Sequence, residues 1–139
     1  MFDKRLKYGV FGFSDANNLK DDFAGCYVFL IIEGYAEMLI NGNKKILKSN
    51  SLAVLFYDDK WDWVYGSSQF SGRFVKLSYA EVEDAIYRIT STAFWDILLS
   101  HSVLYPNLSA VKLLNAWFDS LEWINEQADN RIKFELLKS

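Results

Sequence analysis

From Cys26 onward the apolar residues come in short runs, most with a period of two, separated by turn-forming residues. Cys26 to Ile32 is nearly continuous, as a strand covered on both faces reads. Glu33-Gly34 marks a tight turn. In the stretch YAEMLIN, Ala36, Met38 and Ile40 alternate with Glu37 and Leu39, which predicts a half-buried strand. Asn41-Gly42 follows and is the strongest short hairpin signal, because both central residues of a type I′ turn need positive φ. KKILK is the return strand, SNS the next turn and LAVLF another buried strand. WDWVY sets Trp61, Trp63 and Tyr65 against Asp62 and Val64, and after the loop GSSQFSG the segment RFVKLS is a last strand. Upstream, YGVFGF reads as a short strand bent at Gly9 and Gly12, and SDANNLKDD as a loop. This close spacing predicts an antiparallel sandwich or barrel over roughly residues 5–78.

The period changes at Ser78. Ser78 and Glu81 form a capping box, and Val82, Ala85, Ile86 and Ile89 have helical spacing. TAFWDILLSH predicts a second, short helix. VLYP is extended, since Pro106 biases Tyr105 away from the helical region. A longer helix is predicted from Ser109 to about Gln127. Ala110, Leu114, Trp117, Leu121, Ile124 and Ala128 make a heptad-like seam on it, widened by Val111 and Phe118. Leu113, Ala116, Ser120 and Trp123 run around the other side, so a dimer interface is expected at Leu113, Ala116, Trp117, Ser120 and Trp123. The chain divides into a strand region, 1–78, and a helical dimerisation region, 79–139. NRIKFELLKS is also helical and lacks a glycine stop, so the protein is expected to continue past Ser139.

Composition narrows the function. The chain is one domain of 139 residues, and 51% hydrophobic residues allow a sizeable core. A net charge of -3 argues against direct nucleic-acid binding, and Lys4, Arg5 and Lys7 are too few to reverse that. No run is long enough to span a membrane, and no signal peptide begins the chain. The single cysteine, Cys26, lies in an apolar run; it reads as a buried hydrophobe in a reducing, cytoplasmic setting. With one histidine, His101, no transition-metal site is expected and no Ser/His/Asp set is convincing. Asp21-Asp22 and Asp58-Asp59 read as solvated turns.

Aromatic residues, at 17%, stand out instead. Trp61, Trp63 and Tyr65 share one strand face, Tyr57 lies close before them, and Arg73 falls beside them if the two strands pair. Core packing accounts for these rings. A concave pocket lined by Tyr57, Trp61, Trp63 and Arg73 accounts for them too, with flat faces for an organic ligand, a carbohydrate or an anion.

The order EGYAEMLINGNKKILKSNSLAVLF, RFVKLS, then AFWDILLSHSVLYP resembles the N-terminal sensor domain of AraC-type transcription regulators, from about Cys26 to the end. Gly34 after the first strong strand, the Asn41-Gly42 hairpin, and Asn50 before Ser51 to Leu55 carry the likeness. The resemblance implies a cupin-like antiparallel β-barrel (jelly roll) followed by helices that form a homodimer. It also implies a small-molecule effector, and a pair of helix-turn-helix motifs past Ser139 through which alone DNA is bound. Metal-dependent cupin enzymes carry a histidine pair with a glutamate in one motif and a further histidine in the next. These strands carry none, so the expectation is a receptor with no catalytic residues and no cofactor. The alternative is a stand-alone metal-free cupin enzyme, an isomerase or epimerase acting on a carbohydrate.

Overall fold

The computed structural model describes residues 8–20, 25–78, 80–81, 84 and 102–138, with side chains on the last helix through Trp123 and at Glu126. The predicted helix over TAFWDILLSH, the apolar spacing after Glu81, His101, Asp21-Asp22 and the basic residues at the start lie outside them. In chain order the elements are β1 (Tyr8–Gly12), α1 (Phe13–Ala16), a 3₁₀ turn (Asn17–Leu19), β2 (Cys26–Glu33), β3 (Tyr35–Ile40), β4 (Asn43–Lys48), β5 (Leu52–Phe56), β6 (Trp61–Gly66), β7 (Ser71–Leu77), β8 (Val103–Leu104) and α2 (Leu108–Lys138).

The strands form two antiparallel sheets, one of order β1-β7-β2-β5-β8 and one of order β4-β3-β6. The structure is mainly β with a C-terminal helix. The sheets do not close into a barrel, which corrects that expectation. One reason is visible at the free edge of β6. There the Asn17 carboxamide donates to the Trp63 carbonyl at 3.1 Å and accepts from the Trp63 N–H at 3.0 Å. A side chain thus occupies the ladder position that a neighbouring strand would need.

The hydrophobic pattern explains the layering. In β2, Tyr27, Phe29 and Ile31 point between the sheets, while Cys26, Val28 and Leu30 point the other way, under α2. Both faces are therefore buried, hence the unbroken apolar run. β3 faces the core with Ala36, Met38 and Ile40 and solvent with Tyr35 and Leu39. In β6, Trp61 and Trp63 face inward; a bulge opposite Glu37 and Met38 leaves both Val64 and Tyr65 exposed. The Asn41-Gly42 hairpin forms with φ of 51° and 83°, as a type I′ turn requires. Gly34 has φ of 73°, and a Cβ there would lie 2.4 Å from Ser67 Oγ. Gly34 is thus fixed by both backbone and space.

The capping box at Ser78 is made in both directions, Ser78 N–H to Glu81 Oε1 at 3.1 Å and Glu81 N–H to Ser78 Oγ at 3.3 Å. Three local expectations need correction. SDANN is not a loop but α1 and the 3₁₀ turn, with Ala16 and Leu19 buried. The strands do not end by Ser78: β8 returns to pair with β5. Finally, α2 is one continuous helix of 31 residues, starting behind Asn107, whose Oδ1 accepts the Ala110 N–H at 2.8 Å.

Candidate functional site

The turn between β5 and β6 builds one wall of a cleft at the mouth of the two sheets. Asp59 fixes that turn: its Oδ2 accepts the Phe56 N–H at 2.8 Å and its Oδ1 accepts from Asn41 Nδ2 at 2.9 Å. Asn41 Oδ1 in turn accepts the Lys60 N–H at 2.9 Å, and the Asn41 N–H donates to the Lys60 carbonyl at 2.7 Å. The β3–β4 hairpin tip therefore grips residues 57–60 and sets where Tyr57 and Trp61 stand. Buried Leu19 anchors the opposite wall, which ends at Lys20. The cleft, which is broadly open to solvent, has a volume of about 420 Å³ and is lined by Lys20, Tyr27, Tyr57, Asp59, Lys60, Trp61 and Asp62. That volume suits a small molecule.

Within it the Trp61 indole packs edge-on against Tyr27 at 5.4 Å and Phe29 at 5.5 Å. Lys20 Nζ stands over the Trp61 ring, 4.8 Å from its centroid, and 2.5 Å from Asp62 Oδ1. Behind the cleft, buried Lys76 lies 5.7 Å from the centroid of Tyr27. Aromatic rings, the Asp59 and Asp62 side chains and the Lys20 and Lys60 side chains thus line one opening, with Lys76 behind it. Among the described residues no group of three or more His, Cys, Asp or Glu side chains gathers to hold a metal ion.

Of the four ligand candidates, Tyr57 and Trp61 meet in this cleft. Trp63 and Arg73 are elsewhere. Trp63 is buried deeper between the sheets, against Phe11, Phe29 and Phe70 at 5.4–5.5 Å. Its Nε1–H has no hydrogen-bond partner. β6 and β7 belong to different sheets, and Arg73, opposite Leu30 in the ladder, alternates onto the face of the five-stranded sheet that α2 covers. Its guanidinium donates to Asn115 Oδ1 at 3.2 Å and Asp119 Oδ1 at 2.8 Å, pairs with Glu122 at 3.2 Å, and lies over the Phe118 ring. Arg73 is thus a clasp between β7 and α2. Lys20, Tyr27, Lys60 and Asp62 were not singled out by sequence, and Asp59 was read only as part of a solvated turn, whereas its oxygens hold that turn together. Asp59 carried the one usable signal, an Asp in a tight turn; Lys20 carried none.

Along α2, Leu114 and Phe118 are buried on the sheet and Trp117 is half-buried against the same cluster, 5.4 Å from the Phe118 ring. Leu113 is 53% and Trp123 62% exposed, with exposed Ala116 and Ser120 between them. Four of the five interface candidates therefore form an outward stripe, and Trp117 packs inward.

Cys26 is fully buried at the start of β2, and burial, then the Asp59 charge, pushes its thiol up to about 12 from an ordinary value of 9.0. The folded state holds this proton more tightly than the unfolded chain. Its contribution to stability is complete below pH 9 and is lost as pH rises from 9 toward 12, at most about 1.4 kcal/mol per pH unit. Cys26→Ala is expected to flatten the alkaline fall of the urea midpoint between pH 8.5 and 10.5. Equal slopes in the two proteins would refute this.

A scan against models of protein families and a search of curated proteins each find no match for this chain. Among the described residues no helix is long and apolar enough to cross a membrane.

Proposed function

We propose that this chain is the ligand-sensing and dimerisation domain of an AraC-type transcription regulator. On this reading its two sheets are a cupin-like jelly roll, it acts in the cytoplasm, and DNA is contacted by a helix-turn-helix part beyond Ser139. The observation that carries the reading is that one sheet serves two surfaces. β2 presents Tyr27 to the cleft and Cys26, Val28 and Leu30 to the helix layer, while β7 presents Arg73 to α2. A ligand in the cleft and a partner on the outer stripe of α2 would press on the same strands. The order of the strands and turns from Cys26 supports the same reading. An isomerase or epimerase needs a free acid–base pair. Against that, both Asp59 oxygens are engaged in holding the turn between β5 and β6.

The test is a fusion of this chain to a DNA-binding module that has no dimerisation of its own. The fusion should repress a reporter carrying two half-sites far more strongly than one carrying a single half-site. Equal repression of the two reporters would reject the reading.

A further inference from the structure

We propose that the cleft receives a small organic cation bearing an ammonium group, and that Lys20 occupies that ligand's charge position when the cleft is empty. This rests on the receptor reading of the cleft. The Lys20 ammonium lies over an indole face, 4.8 Å from its centroid, with a carboxylate 2.5 Å away on Asp62. An aromatic face plus a carboxylate is the environment in which proteins hold ammonium ligands. Lys20 holds this position loosely, since the side chains of the pair are 38% and 66% exposed. Exposed pairs of this kind are weak and easily exchanged. When Lys20 swings out, the Asp62 carboxylate is left beside the Trp61 face without the cation it was paired with. Tyr57, which is exposed, supplies a further ring face for the body of the ligand.

The other ligand classes fit less well. An anion would meet Lys20 and Lys60 but would lie against the Asp59 and Asp62 carboxylates in the same opening, and Arg73 is on the far side of the sheet. A neutral sugar carries no charge to replace the Lys20 ammonium between Asp62 and the Trp61 ring.

The experiment titrates the wild-type chain, Lys20→Ala, Lys20→Met and Lys20→Ala/Asp62→Asn with four probes: phenethylammonium, phenethyl alcohol, phenylacetate and D-xylose. Binding is read by calorimetry and by indole fluorescence, with circular dichroism to verify folding. Phenethylammonium should bind wild type more tightly than phenethyl alcohol does. It should bind both Lys20 variants about tenfold more tightly still, because the competing occupant is gone, and the double variant should lose this gain. Phenethylammonium binding no better than the alcohol, or unchanged in both Lys20 variants, overturns the proposal. Preferential binding of xylose or phenylacetate overturns the ammonium class and leaves the receptor reading standing. Binding of no probe to any variant overturns the proposal and removes the cleft from the receptor reading. Dimerisation, measured without ligand, is scored separately.

Discussion

Phe29→Ala is expected to lower the stability of this chain by about 3–5 kcal/mol, the range for deleting a buried aromatic ring. Phe29 is fully buried on β2, the middle strand of the larger sheet. Its ring lies 5.5 Å from Phe11, 6.2 Å from Tyr27, 5.5 Å from Trp61 and 5.4 Å from Trp63. Four rings carried on strands of two sheets cannot collapse into the space it leaves, so the cost falls toward the top of the range. Against a total of about 5–15 kcal/mol, this removes a large part of the stability. Phe29→Leu, which keeps part of the volume, should cost clearly less and keep the variant measurable by urea denaturation. A loss below about 1 kcal/mol for Phe29→Ala would mean that the sheets slide together over the gap. Trp61 rests on Phe29, so the same substitution is expected to loosen the floor of the cleft.

The second large effect is on association. In a two-fold dimer through α2, Leu113 of one copy would lie beside Trp123 of the other, with Ala116 and Ser120 giving the helices room to approach. Covering ~100 Å² of each indole at ~25 cal/mol per Å² is worth ~2.5 kcal/mol. The two-fold axis counts it twice, so ~5 kcal/mol rides on one residue type before any charge is introduced. Trp123→Asp is therefore expected to weaken the dimer on the order of a thousandfold or more. In sedimentation at tens of micromolar the boundary should shift from dimer to monomer with unchanged far-UV circular dichroism. If the unsubstituted chain sediments as a monomer at that concentration, the stripe is only the outer surface of a helix covering its own sheet.

How far the sequence could be read depended on whether each signal was local. The Asn41-Gly42 hairpin, the capping box at Ser78 and the doubly covered strand at Cys26 are each set by a few adjacent residues, and all were legible. Alternation placed Trp61 and Trp63 correctly on one face of β6. It carries no information about depth, so it could not tell that Trp61 reaches the cleft while Trp63 is enclosed by phenylalanines. Arg73 was misplaced because the sequence does not say which sheet a strand joins; next in order after β6, β7 pairs instead with β1 and β2. SDANN read as loop because Ser, Asp and Asn favour turns and caps, and the burial of Ala16 and Leu19 overrode that preference. Lys20 became visible only once α1 and the 3₁₀ turn had been laid along the edge of β6.

The pairing of β1 with β7 bears on how the chain is made. Tyr8 lies opposite Val75 and Gly12 opposite Ser71, so β1 has no ladder partner among the described strands until β7 has emerged. β2 waits as well, since one of its edges belongs to β7. During that interval the β3–β4 hairpin, the β2–β5 ladder and the β3–β6 pairing can form from segments already made, which completes the small sheet but not the large one. Contacts so distant along the chain slow folding into the millisecond-to-second range, and they leave β1 and β2 open to improper pairing while synthesis proceeds. The small sheet is therefore expected to acquire protection from hydrogen exchange before the large one, although the large one contains the most deeply buried strand.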